Sequence, residues 1–153
     1  MAEVVIAIDG PAGSGKSSVS KAAARELGFG YLDTGAGYRA FAIHKSNFPG
    51  LELDRLIGSF DYSISIDPDS ELVMLAGVDV TAEIRTAAVS EAVSAVAKEQ
   101  LVRNLQLQDA RKRITNCQSQ GIIVEGRDIT TVVAPEAILK VLLTASPSVR
   151  LER

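Results

Sequence analysis

The sequence has little of several residue types, and each shortage narrows the class of protein. It has no tryptophan and one cysteine, Cys117, so no disulfide can form within the chain, and a reducing cytoplasmic location is expected. Lysine and arginine number 16 against 19 aspartates and glutamates, a net charge of −3 that does not favour a nucleic-acid partner. Apolar runs stay short of the roughly 18 residues that span a membrane, so neither a signal peptide nor a membrane partner is expected.

A glycine-rich stretch near the N-terminus carries the strongest motif. The apolar run Val4 to Ile8 predicts a buried strand, and residues 10–17, GPAGSGKS, fit G-x-x-x-x-G-K-S/T at every position. Glycines let successive backbone N–H groups face phosphate oxygens, and a helix predicted from Lys16 to about Leu27 adds its positive end. The motif predicts that Lys16 reaches the β- and γ-phosphates of a nucleotide and that the Ser17 hydroxyl ligates Mg²⁺.

The rest of the chain alternates between strand and helix patterns. Val19, Ala23 and Leu27 predict the apolar face of the first helix. The other predicted segments are strands at 29–32, 122–125 and 139–143, helices at 36–45 and 86–114, a short helix capped by Asp54, and an antiparallel meander at 61–81. The segment 86–114 fits one kinked helix or two helices that meet near 98–100. We therefore expect an α/β P-loop NTPase three-layer fold: a central parallel sheet with the first strand inside it, helices on both faces, and a small antiparallel insert.

Isolated polar residues are less specific signals. Arg39 follows a strand-to-helix junction and is suited to holding a second phosphate, although a solvated surface arginine has the same pattern. His44 has no partner at metal-ligand spacing and is interpreted as a surface or packing residue. The charged run 111–113 fits a solvated helix end. Residues 125–128, EGRD, follow a predicted parallel strand, at the edge where open α/β sheets bind ligands.

Several segments together resemble bacterial cytidylate kinases. They are IDGPAGSGKSSVS, YLDTGAGYR, GVDVTAEIRT, EAVSAVA, VEGRDITTVV and LLTASPSVR, in the order that the family has them. The phosphate loop alone would also admit adenylate, guanylate or shikimate kinases. The resemblance implies phosphoryl transfer from ATP, with Mg²⁺, to CMP or dCMP by a monomer that binds small-molecule nucleotides.

The resemblance also implies roles for individual residues. Those assigned to the ATP phosphates are Gly10, Pro11, Ala12, Gly13, Ser14, Gly15, Lys16, Ser17 and Ser18. Thr34, Arg39 and Arg127 are assigned to the acceptor monophosphate. Ser94, Arg103 and Asp128 are assigned to cytosine, with Asp128 on its amino group. The catalytic set is Lys16, Arg39, Arg127 and Asp128, which would act by positioning and charge neutralisation, without a strong general base.

The chain departs from the family's pattern at three positions and at its end. Gly37 stands where a large apolar residue is usual, Ala134 replaces a phenylalanine, and Thr130 replaces a glycine and would be strained if its φ were positive.

Family members continue past Arg153 with an arginine-rich lid, a strand and a helix. We therefore expect one C-terminally incomplete kinase domain over 1–153, with its core at 1–60 and 115–153, a CMP-binding insert and helices at about 61–114, and a helix starting near residue 149. Two alternatives stay open: a nucleotide-binding module impaired by lack of the lid, and another small-molecule P-loop kinase.

Overall fold

The computed structural model describes residues 2–146 and Ser148, and the chain divides into two units. The first unit comprises Met1–Thr34, Ile66–Asp69 and Asp109–Arg153, and the second comprises Gly35–Ser65 and Ser70–Gln108. The helix predicted near residue 149 lies outside the described residues.

Strands and helices alternate along much of the chain. In order they are β1 (Val4–Asp9), α1 (Lys16–Leu27), β2 (Gly30–Asp33), α2 (Thr34–Asn47), α3 (Leu53–Gly58), β3 (Tyr62–Ile64), β4 (Val73–Leu75), β5 (Val78–Asp79), α4 (Ala87–Ala97), α5 (Gln100–Asn116), β6 (Gly121–Gly126) and β7 (Leu139–Leu142). A 3₁₀ turn spans Glu83–Arg85, and a π-helical turn spans Ile129–Val133. No helix in the described part of the chain combines the length and apolarity that a membrane crossing requires.

A parallel sheet forms the centre of the first unit. Its strand order is β2-β6-β1-β7, and every pair is parallel, which confirms the predicted sheet with the first strand inside it. All of β6 is buried, as expected for a strand with neighbours on both sides. The register pairs Glu125 with Ile8 on one side and with Asp33 on the other, so two acidic residues lie on adjacent strands at the carboxyl edge.

Helix α1 has the predicted bounds but buries a different face. Val19 is 47% exposed and Leu27 is 52% exposed, whereas Ser20 and Ala24 are fully buried. The predicted apolar face is therefore wrong for Val19 and Leu27, whereas Ala23 packs against the core as predicted. The helix contacts β1, β2 and β6, and its buried residues are the small Ser20 and Ala24, which permit close approach to the sheet. Gly28 ends the helix in the left-handed conformation with φ 68°, which glycine commonly adopts at a helix C-terminus.

The second unit has a core of its own, which α2 dominates. Helix α2 starts at Thr34, directly after β2 and two residues before the predicted start at residue 36. His44 is buried, packs edge-on against Phe41 and Phe48, and its Nε2 lies 3.0 Å from the carbonyl oxygen of Leu56. The packing interpretation of His44 is thus confirmed. The buried members of this core are Ala36, Ala40, Phe41, Ala42, Ile43, Leu56, Val73, Leu75, Val80, Ile84, Val89, Val96 and Val102.

The next elements along the chain test the predicted meander and decide between one helix and two in the segment 86–114. Strands β3, β4 and β5 pair antiparallel in sequence order, which confirms the predicted meander. The segment 86–114 contains two helices, α4 and α5. Thr86 caps α4 by accepting the N–H of Val89. The residue at the N-cap of α3 is Glu52, so the expectation for Asp54 was wrong; that carboxylate instead accepts the N–H of Arg55.

Candidate active site

The loop between β1 and α1 has the geometry of a phosphate cradle. Gly13 and Gly15 have φ values of 77° and 85°, in the left-handed region that glycine adopts without strain. At Gly10, a Cβ would lie 2.6 Å from the carbonyl oxygen of Leu143 and 2.7 Å from Ser14 Oγ, so only glycine fits. No side chain caps α1, since its N-cap residue is Gly15, and the N–H groups of its first turn are left for a ligand.

Ser17 joins this loop to a buried carboxylate. Its hydroxyl donates to Oε1 of Glu125 at 2.6 Å, and the hydroxyl of Tyr31 donates to the same oxygen at 2.7 Å. Glu125 is 1% exposed, and its second oxygen, Oε2, has no hydrogen-bond partner among the described residues. An unsatisfied buried carboxylate oxygen is costly, which makes Oε2 a candidate ligand atom.

The electrostatics of this carboxylate follow from its surroundings. Burial raises the pKa of Glu125 above its ordinary value, and the neighbouring Asp33 raises it further. The hydrogen bonds from Ser17 and Tyr31 and the charge of Lys16 lower that pKa but do not reverse the shift. Burial likewise raises the pKa of Tyr31, so its hydroxyl keeps its proton and stays a donor.

The donor set fits Mg²⁺. A hydroxyl and carboxylate oxygens are its preferred ligands, and proteins commonly supply one or two while substrate phosphates supply others. Within the described residues, no group of three histidine, cysteine, aspartate or glutamate side chains could hold a metal on its own. The sequence assigned Ser17 to the metal and placed Glu125 at the ligand-binding edge of the sheet, but it gave Glu125 no metal role. The hydrogen bond between the two residues is what points to that role.

Thr34 is fixed at the end of β2 by the neighbouring strand. Its hydroxyl donates to the carbonyl oxygen of Glu125 at 2.9 Å. The hydroxyl also lies where a Cβ on Gly126 would be, so glycine is required opposite it. Thr34 therefore stands beside Glu125, in the first unit with the phosphate loop.

Arg127 and Asp128 are exposed and follow directly after β6. Asp128 has φ 57°, which is unusual for a residue with a side chain. Among the described non-glycine residues, positive φ occurs at Asp128 but not at Thr130. The backbone strain predicted for a positive φ therefore does not arise at Thr130. The hydroxyl of Thr130 donates to Asp9 Oδ2 at 2.6 Å, a contact that glycine could not make.

The other predicted acceptor residues belong to the second unit. Arg39 lies on α2, Ser94 on α4 and Arg103 on α5, and the last two are exposed. Gly37, one of the positions that depart from the family's pattern, contacts Gln106. The Gln106 side chain donates its amide N–H to the Gly37 carbonyl at 3.1 Å and occupies the space that a Cβ of residue 37 would need. The role of these residues in acceptor binding stays a prediction.

A parallel sheet with this loop defines a P-loop phosphate-binding protein. The family model for cytidylate kinase matches residues 6–153. The cytidylate kinase of Rhodococcus opacus is 47% identical over 98% of this chain and 67% of that protein, and the one from Mycobacterium leprae is 44% identical over 100% and 68%. The chain belongs to the cytidylate kinase family, and it spans about two thirds of the length of these relatives.

A solved structure supports the fold. The crystal structure of TT1252 from Thermus thermophilus matches 99% of this chain and 71% of its own, with a TM-score of 0.50 and 20% identity. At this identity the likeness concerns the fold alone.

Proposed function

We propose that this protein transfers the γ-phosphoryl group of ATP to CMP or dCMP, giving ADP and CDP or dCDP. The observation that carries the proposal is the phosphate loop with Lys16 and Ser17, in a chain that matches the cytidylate kinase model over residues 6–153. The match across nearly all of the chain does not favour an unrelated small-molecule kinase.

Residues of the first unit bind ATP and Mg²⁺. The N–H groups of the loop and Lys16 bind the ATP phosphates and compensate their charge. Ser17 and Glu125 hold Mg²⁺, for which the buried Oε2 of Glu125 is an available ligand atom. Mg²⁺ held by these residues would supply positive charge that compensates the phosphate oxygens of ATP.

The acceptor is bound by positive charge at its phosphate and by hydrogen bonds at its base. Arg39 and Arg127 bind the acceptor phosphate, since a guanidinium can hold two phosphate oxygens at once, and Thr34 contributes a hydroxyl. Ser94, Arg103 and Asp128 read the cytosine edge. A wrong base leaves such polar groups unpaired, which gives strong discrimination.

The rate enhancement comes from position and electrostatics. A phosphoryl group in transfer needs its oxygens neutralised and its two partners held in line, so no strong general base is assigned. A monomer in a reducing cytoplasm is part of the proposal, and the single, buried Cys117 is consistent with that compartment.

The test is a steady-state assay of ADP formation with one acceptor at a time: CMP, dCMP, UMP, AMP, GMP and shikimate. CMP and dCMP should give the highest kcat/KM. Arg39→Ala should reduce the use of every monophosphate, because phosphate carries no base identity. Asp128→Asn and Arg103→Ala should raise the KM for CMP far more than that for ATP.

Arg55→Ala is the matched control, since this exposed arginine of α3 has no proposed role and should leave the kinetics unchanged. A preference for AMP or for shikimate would contradict the proposal. Equal effects of Asp128→Asn on the two KM values would remove Asp128 from base recognition.

A further inference from the structure

The carboxylate of Asp9 receives hydrogen bonds from the turn that follows Arg127 and Asp128. Oδ1 accepts the N–H of Ile129 at 2.7 Å. Oδ2 accepts both the N–H of Thr130 at 3.1 Å and the hydroxyl of Thr130 at 2.6 Å. Three donors therefore meet one charged side chain from a residue more than a hundred positions away, a geometry that fixes the turn closely.

The turn held in this way is strained at its entry. Asp128 has a left-handed conformation, with φ 57°, and its carbonyl oxygen accepts N–H groups from Val132 at 2.9 Å and Val133 at 3.1 Å. The second of these bonds spans five residues, the spacing of a π-helical turn, a rare conformation that is frequently found at functional sites. Such a backbone persists only when the surrounding structure holds it, and the Asp9 carboxylate supplies that support.

Asp9 also connects this turn to the phosphate loop. It is the last residue of β1, directly before Gly10, where close packing against Leu143 and Ser14 allows no side chain. The same residue therefore ends the strand that presents the loop and anchors the turn that carries Arg127 and Asp128.

We propose that Thr130 and Asp9 are positioning residues, which hold Arg127 and Asp128 in the orientation that acceptor binding requires. This inference rests on the proposed function. Thr130 does not touch the acceptor; its hydroxyl orients the turn through Asp9. The substitution at this position relative to the family's usual glycine is then a gain of one short, charge-assisted hydrogen bond.

The experiment uses three variants of the whole chain. Thr130→Val keeps the shape and removes the hydroxyl, Thr130→Ser restores it, and Thr131→Val is the control at the next, exposed threonine of the turn. The Kd for CMP and for a non-hydrolysable ATP analogue are measured by calorimetry, and KM and kcat by ADP formation. Thermal unfolding of each variant is recorded alongside.

Thr130→Val should weaken CMP binding about tenfold, the scale of one hydrogen bond to a charged group, and change binding of the ATP analogue less than about twofold. Thr130→Ser and Thr131→Val should match the wild type. A Thr130→Val protein that binds CMP like the Thr131→Val control would overturn the inference, and so would equal weakening of both ligands. CMP binding by the wild type without CDP formation would contradict the proposed function while the affinities still test the inference. If the wild type did not bind CMP, both the inference and the proposed function would be wrong.

Discussion

The hydroxyl of Ser17 donates a 2.6 Å hydrogen bond to Oε1 of Glu125, a residue 108 positions further along the chain. Because the Ser17 proton is directed at Glu125, the lone pairs of its oxygen remain available to a cation. Tyr31 donates to the same carboxylate oxygen, which leaves Oε2 without a partner among the described residues. In the proposed magnesium site, Glu125 is a residue that lies outside the motif.

Glu125→Gln should weaken the response to Mg²⁺. The amide loses the charge that attracts the cation, and changes to residues around a metal typically reduce its affinity about 10- to 100-fold. The measurement is ADP formation as a function of Mg²⁺ concentration at saturating ATP and CMP. Glu136→Gln, at an exposed glutamate of the same unit, is the control. An unchanged Mg²⁺ dependence in Glu125→Gln would remove Glu125 from the metal site.

The same variant should change how stability depends on pH. Burial and Asp33 raise the folded-state pKa of Glu125 above its ordinary value of 4.5. Below that value Glu125 is protonated in both the folded and the unfolded chain, so its contribution to the free energy of unfolding is fully present. As pH rises, the unfolded chain releases its proton first, and the contribution is lost as pH passes through the folded pKa.

Glutamine does not titrate, so Glu125→Gln should gain stability relative to the wild type as pH rises from about 4.5. Urea unfolding of both proteins without Mg²⁺ or nucleotide, at several pH values from acidic to neutral, measures the difference. A difference that stays constant across this range, or that falls as pH rises, would contradict the assigned burial effect.

Gly37→Ala should destabilise the protein although it replaces a glycine inside a helix. Such a change usually stabilises a helix by about 0.5–1 kcal/mol. Here the new Cβ would displace the buried Gln106 amide from its hydrogen bond to the Gly37 carbonyl, and leaving buried polar groups unpaired costs about 1–3 kcal/mol. Urea unfolding checks the sign. In a Gln106→Ala background there is no amide to displace, and the same change should become stabilising; an equal cost in both backgrounds would show that Gln106 is not the cause.

Lys16→Ala should remove activity and spare the fold. Loss of one charge-stabilising donor to the transferring group typically lowers kcat at least about 10²-fold. Thermal unfolding of the nucleotide-free protein should be nearly unchanged, since this lysine serves the ligand and not the core. Lys45→Ala, at an exposed lysine near the end of α2, should retain wild-type turnover. Equal turnover by the Lys16 and Lys45 variants would exclude Lys16 from the mechanism.

The sequence predicted those features that local chemistry determines. The bounds of α1 follow from the loop before Lys16 and from Gly28, whose left-handed conformation ends the helix. The parallel sheet follows from short apolar runs separated by helices. The buried face of α1 was mispredicted, because periodicity selects Val19 and Leu27 by hydrophobicity while close packing on the sheet selects Ser20 and Ala24.

The parts of the site that escaped prediction depend on distant partners. The donors to Glu125 come from Ser17 and Tyr31, and the acceptor for Thr130 is Asp9, each about a hundred residues away. Thr130 stands where the family usually has glycine, and the sequence alone predicted strain there if its φ were positive. The contact that accommodates Thr130 is its hydrogen bond to Asp9, which the sequence does not show. Contacts of this range are set by strand order and register, and no short motif contains them.

Competition among acceptors in one reaction distinguishes a CMP-specific kinase from a kinase that accepts any nucleoside monophosphate. The protein is mixed with Mg²⁺, ATP labelled in its γ-phosphate, and equal concentrations of CMP, UMP, AMP and GMP, and the labelled diphosphates are separated by chromatography. Labelled CDP should form in excess over each other diphosphate by about 10²-fold, the scale of discrimination by paired polar groups. Labelled products in equal amounts, or an excess of any diphosphate other than CDP, would contradict the proposed CMP specificity.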